Sequence, residues 1–167
     1  MELSNTDKAF LYSKQLFRND KTGNYKWCLI SKYSYIMFLV QSYHTWIYND
    51  VPFKEKFFID IYNRQRYLEF EYFWYEKQQR LDYGAFFNID KSLARSVEYV
   101  FRKYWNVDIE KLDELIENNF LCVKQAKEKV TVKFPMQFIS NRDIIRDLNK
   151  DSCEVTWEWE RPKILKL

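Results

Sequence analysis

The sequence predicts a mainly α-helical, compact domain with a short extended segment and a C-terminal β-strand. Three observations carry that expectation. The 167 residues include only two glycines and three prolines, and sandwiches and barrels need far more turn formers. Ile36, Leu39, Val40, Tyr43 and Ile47 fall on one helical stripe, as do Leu93, Val97, Val100, Phe101 and Tyr104. Aromatic residues make up 20% of the chain, and disordered segments are poor in them.

Taken in order, Ser4-Asn5-Thr6-Asp7 reads as a capping box opening a first helix, Thr6 to Phe17, that buries Phe10, Leu11 and Phe17. Residues 20–24 read as a polar turn. The central helix follows, with Phe38 and Trp46 off its main stripe, so it is expected to be buried on more than one side. Asn49-Asp50 and Pro52 end it, since proline lacks an amide donor and biases its predecessor away from helix. Phe53 then packs back onto the core.

The stretch from Phe57 to Arg80 satisfies two templates. Residues 67–75 partly alternate, as a strand would, but Leu68, Tyr72 and Tyr75 also fit helical steps. The flanking Gln, Glu, Lys and Arg tip the reading to helix. Asp90 is placed as N-cap of the next helix, and Asp108 as N-cap of a short one with Ile109, Leu112, Leu115 and Ile116 on one face. Asn118-Asn119 separates this from a helix ending near Glu128. Val130 to Phe134 alternates and reads as extended, closed by Pro135. Ser140-Asn141-Arg142-Asp143 is a second capping box before a last helix to Leu148. Finally, Glu154 to Glu160 alternates acids with Val155, Trp157 and Trp159, which predicts a strand.

Composition narrows the function. With 27 basic and 24 acidic residues the net charge is +3, too balanced to demand a nucleic-acid partner, though the first 35 residues are the most basic. Gly23 and Gly84 are too far apart for a phosphate-cradling loop. The single histidine, His44, has no carboxylate one turn away and is read as a structural, hydrogen-bonded side chain. Cys28, Cys122 and Cys153 are scattered and odd in number, which suits reduced thiols and shows no zinc-ligand spacing. Glu110, Asp113, Glu114 and Glu117 read as a solvated helix face. No leader or membrane-spanning run is read, so the cytoplasm is the expected compartment. No catalytic, cofactor-binding or metal-ligating residue is assigned.

Several of these pieces together resemble a known family. They are the first helix, a second helix carrying Met37, Phe38, Gln41, Tyr43 and His44, and the turn Tyr48-Asn49-Asp50-Val51-Pro52-Phe53. Next come a helix ending in Phe101-Arg102-Lys103-Tyr104-Trp105, the short helix Ile109 to Ile116, and Val123 to Lys129 around Ala126. In order and spacing, residues 6–148 resemble the Panacea domain, the SocA-like, phage-associated antitoxin family. The chain departs from it after Phe53, where Phe58-Ile59-Asp60-Ile61-Tyr62-Asn63 replaces a Trp-x-Tyr-Gly-Pro turn. The resemblance divides the chain into a Panacea-like helical domain, 1–150, and a C-terminal strand and tail, 151–167.

It also implies a non-enzymatic protein-binding module that neutralises a toxin or other effector by direct contact. A phage-encoded inhibitor of a host defence protein and a nucleic-acid-binding regulator are the alternatives. Tyr, Trp and Arg dominate protein–protein hot spots. The candidate interface residues are therefore Trp157, Trp159, Arg64, Arg66 and Trp74.

Overall fold

The computed structural model describes residues 2–19, 30–74 and 87–159. In chain order these form α1 (Asn5–Asn19), α2 (Ile30–Tyr48), β1 (Phe57–Tyr62), β2 (Gln65–Phe70), α3 (Glu71–Trp74) and α4 (Lys91–Tyr104). They continue as α5 (Ile109–Asn119), α6 (Leu121–Lys129), β3 (Met136–Ile139), α7 (Asn141–Leu148) and α8 (Val155–Glu158). The chain is thus mainly helical, with one small antiparallel sheet of order β2-β1-β3.

The central helix is α2. Its stripe of Ile36, Leu39, Val40, Tyr43 and Ile47 is buried, and so are Met37 and Phe38 on other sides. It can be covered all round because α4, α5, α7 and β2 all pack against it. Phe38 meets Phe57 of the sheet edge-on at 5.2 Å and Phe120, between α5 and α6, at 5.0 Å. The helix ends where expected. Asn49 turns left-handed, with φ 53°, and its amide donates to the Thr45 carbonyl at 2.9 Å. Asparagine tolerates that conformation at a helix C-terminus. Phe53 returns to the core, 5.7 Å from Phe70.

The α1 capping box forms in both directions, and the serine half of the α7 box forms too. The Asp7 amide donates to Ser4 Oγ at 3.1 Å while the Ser4 amide donates to Asp7 Oδ2 at 2.8 Å. At α7 the Asp143 amide donates to Ser140 Oγ, also at 3.1 Å. Asp90 and Asp108 do hold N-cap positions, but neither side chain caps its helix. In α1 Phe10 and Leu11 are buried, and the Tyr12 hydroxyl binds the Glu98 carboxylate of α4. The polar turn read over 20–24, the Phe17 side chain, Cys28 and residues 75–80 lie outside the described residues.

Three sequence expectations are corrected. First, the helix expected from Phe57 onward is a β-hairpin. Phe57 pairs with Phe70 and Tyr62 with Gln65, leaving Asn63 and Arg64 as a two-residue loop. Both have positive φ, 50° and 63°, the geometry that matches the twist of paired strands. The aromatic and β-branched residues of β1 pack well on a pleated surface, and this outweighs the helical spacing of Leu68 and Tyr72. Only a single helical turn, α3, follows. Arginine gains nothing from the left-handed region, so Arg64→Gly is expected to stabilise the fold by about 0.5–1 kcal/mol. A denaturant midpoint that falls would contradict this.

Second, the extended segment lies after Pro135 rather than before it. Thr131 and Phe134 close a tight turn, with the Thr131 amide donating to the Phe134 carbonyl at 3.0 Å. β3 then begins at Met136, because a proline can precede a strand without interrupting its ladder.

Third, the C-terminal strand is a helical turn. The Trp157 amide donates to the Glu154 carbonyl at 3.0 Å, and the Trp159 amide to the Val155 carbonyl at 3.2 Å. Val155, Thr156 and Trp159 face inward and Trp157 outward. Cys153, Val155 and Trp159 belong to the same core as residues before 150.

Candidate protein-binding face

Side chains alternate across the sheet. Phe57 and Ile59 of β1, Leu68 and Phe70 of β2 and Ile139 of β3 are buried on the face turned to α2. The opposite face carries Phe58, Asp60 and Tyr62, then Glu69, Tyr67 and Gln65, then Phe138 and Met136. Phe58, at its centre, is buried because Trp74 and Phe138 roof it. The Trp74 ring meets it edge-on at 5.2 Å and Phe138 lies at 5.5 Å. The roof itself is open to solvent: Trp74 is 56% exposed and Phe138 54%, while Tyr62 on the same face is 69% exposed and Phe134, in the turn before β3, 59%. Lys56 Nζ stands 5.8 Å from the Phe138 ring and Lys133 Nζ 5.7 Å from the Phe134 ring. Glu69 is half-buried here, and desolvation, with Asp60 nearby, pushes its carboxyl above the ordinary value.

Of the five interface residues chosen from sequence, Trp74 lies on this face. Arg64 and Arg66 are exposed at the hairpin turn and the β2 strand that leaves it. Trp157 is exposed elsewhere, on α8, which α4 and α5 hold. Lys103 Nζ pairs with Glu158 at 3.2 Å, and the Val155 amide donates to Asn119 Oδ1 at 3.0 Å. Trp159, in contrast, is buried in the core. It is 3% exposed, its indole N–H donates to the Tyr104 hydroxyl at 2.8 Å, and Tyr43 meets it edge-on at 5.6 Å. Tyr62 and Phe138 were not picked out from sequence. The alternation of Phe58, Asp60 and Tyr62 would have shown Tyr62 had the segment been read as a strand.

Several other titratable and nucleophilic groups among the described residues are buried. His44 is buried, with Nδ1 2.8 Å from Ser96 Oγ and Nε2 3.7 Å from Asp50 Oδ2. These three groups have the composition of a nucleophile triad, which sequence spacing did not show because Ser96 arrives from α4. Burial stands against that use: Ser96 is wholly buried, and its hydroxyl, which has one proton, also lies 3.0 Å from the Ser92 carbonyl.

Burial lowers the His44 pKa from 6.5, against the pull of Asp50. The neutral ring is thus the folded form. Above pH about 6.5 the group contributes no pH dependence. Below that value the unfolded chain binds the proton first, so stability falls by up to about 1.4 kcal/mol per pH unit until the folded-state pKa is reached. His44→Gln should flatten the profile just below pH about 6.5, checked by urea unfolding at stepped pH.

Burial also pushes the Cys153 thiol up to about 11 and the Cys122 thiol higher still, helped by Asp147. Neither supplies a thiolate at neutral pH. The acidic face of α5 is not simply solvated. Lys127 of α6, itself buried, donates to both oxygens of Asp113 at 2.7 Å and to Glu117 Oε2 at 2.9 Å. Among the described residues no cluster of His, Cys, Asp and Glu could hold a metal ion, and no helix is long and apolar enough to cross a membrane.

No protein-family model, curated protein or solved structure matches the chain.

Proposed function

We propose that the chain is a non-enzymatic protein-binding module of the antitoxin kind, which neutralises a toxin or other effector protein by covering it. The observation that carries this reading is the open aromatic roof of the sheet, Trp74 and Phe138 over buried Phe58, with Tyr62 exposed on the same face. Exposed rings clustered over a rigid base are the composition of an interface core. The order of helices that resembles the Panacea domain supports the antitoxin assignment, and the sealed Ser96 supports a role without hydrolysis. A phage-borne inhibitor of a defence protein would use the same face, and either role belongs in the cytoplasm.

A nucleic-acid-binding role has one observation in its favour: exposed Arg64 and Arg66, with Lys56 and Lys133 beside open rings. Stacking with positive charge suits a single strand. Affinity capture from the native host, with the wild type and a Trp74→Ala/Tyr62→Ser variant in parallel, tests the main reading. One stoichiometric protein lost in the variant is the expected result. Recovery of nucleic acid released by moderate salt would instead favour the regulator.

A further inference from the structure

The two edges of the sheet are treated differently. On β2 the outward amides are occupied by α2: the Leu68 N–H donates to the Tyr35 hydroxyl at 3.2 Å and the Phe70 N–H to Ser34 Oγ at 3.2 Å. This edge cannot accept another strand. On the other side, the Ile61 amide donates to the Pro135 carbonyl at 3.1 Å. Phe57, Ile59 and Ile61 therefore turn their peptide groups toward β3, whose Gln137 and Ile139 answer them in register. Met136 and Phe138 must then point their N–H and C=O groups outward. β3 pairs only with β1 and packs against α6, and among the described residues no side chain hydrogen-bonds to those groups.

An edge with free peptide groups is a template for one more strand. The charges beside it say what kind. Lys56 overhangs Phe138, Lys133 lies just before the strand and Arg142 just after it. None of the three forms an ion pair among the described residues. The acids of the sheet, Asp60 and Glu69, stand one and two strands further in. A second copy adding its own β3 antiparallel would set the Lys133 end of one edge beside the Arg142 end of the other, like charges together.

We infer that the β3 edge binds an extended, acid-bearing segment of the partner protein by strand addition, with alternate apolar side chains of that segment resting on Phe138. The inference rests on the protein-binding reading of the same face and names its mode. Backbone pairing supplies general affinity, and the lysine and arginine rim selects acidic sequences.

The test is selection of short random peptides displayed on phage against the full chain. Binding of the enriched peptides is then measured by fluorescence anisotropy, and amide exchange is followed by NMR. Expected are peptides alternating acidic with apolar residues, which slow exchange at the Met136 and Phe138 amides. Phe138→Pro removes one outward donor, and binding should weaken at least about tenfold. Phe138→Ala keeps that donor and should lose less. Lys133→Glu/Arg142→Glu changes only exposed charges, leaves the fold intact and should also weaken binding about tenfold. Enrichment of basic peptides, or no added protection at Met136 and Phe138, would overturn the edge. Peptides lost in Trp74→Ala/Tyr62→Ser but retained by Phe138→Pro would overturn it too, while leaving the protein-binding face standing. No enrichment at all would count against both.

Discussion

Trp159→Ala should lower the unfolding free energy by about 3–5 kcal/mol, whereas Trp157→Ala, two residues earlier, should change it by less than about 0.5 kcal/mol. The contrast follows from the helical turn of α8. Trp159 fills the space between Tyr43 and Tyr104, and its ring is 3% exposed. Truncation there removes a large apolar surface and leaves a cavity that α2 and α4 cannot close. It also removes the donor to the Tyr104 hydroxyl. Trp159→Phe keeps most of the surface and should cost about 1–2 kcal/mol, largely the lost hydrogen bond and the methylene-scale void. Trp157 is 72% exposed and has little to lose. On a strand the two tryptophans would share a face, and both substitutions would cost alike. Urea denaturation of the three variants settles the point, with equal losses at 157 and 159 as the contrary result.

That tail shows where sequence reasoning fell short. Glu154 to Glu160 alternates almost perfectly, and period two is the signature of a strand. Alternation over so few residues also satisfies a single helical turn, since Val155, Thr156 and Trp159 lie at i, i+1 and i+4. Among the described residues no strand pairs with this segment, and no local pattern reports that. The hairpin failed in the opposite direction. Leu68 and Tyr72 met a helical template by coincidence, while the turn at Asn63-Arg64 lacked the glycine that usually marks such loops. By contrast, α2 and α4 were legible because their stripes are long enough for chance to be excluded. Both serine capping boxes were legible because every participating atom is local.

Of the candidate face, only Trp74 was legible in the sequence. Phe138 joins Trp74 over Phe58 only when β3 crosses to pair with β1, a contact some eighty residues apart in sequence. The grouping of His44 with Ser96 and Asp50 was hidden for the same reason, as was that of Lys127 with Asp113 and Glu117. Spacing identifies partners on one helix, not on neighbouring ones.

A long-range contact of this kind gives the other large expected effect. Asp147→Ala should cost about 3 kcal/mol, with a lower urea midpoint and an unchanged slope. Helix α6 begins without a local cap, since Phe120 has no side-chain acceptor to offer. Its second amide, Cys122, instead donates at 2.7 Å to Oδ2 of Asp147, which α7 delivers. The carboxylate is 1% exposed, and such burial is tolerated only with compensation. The compensation has three sources: the Cys122 amide, the positive end of the α6 dipole, and two cations, Lys150 Nζ at 3.4 Å and Arg146 Nε at 3.6 Å from Oδ1. Alanine removes the acceptor and strands both the amide and the cations' partner site. Asp147→Asn keeps an acceptor but not the charge, and should cost about half as much. Amide exchange at Cys122 should accelerate in both variants before global unfolding is reached. The Cys122 thiol provides a second readout, because Asp147 helps hold its proton on. Alkylation of Cys122 should be faster in Asp147→Ala than in the wild type at the same pH. If the alkylation rate and the midpoint both stay put, α6 is held in place by its apolar contacts through Val123 and Ala126 alone, and Asp147 is not its cap.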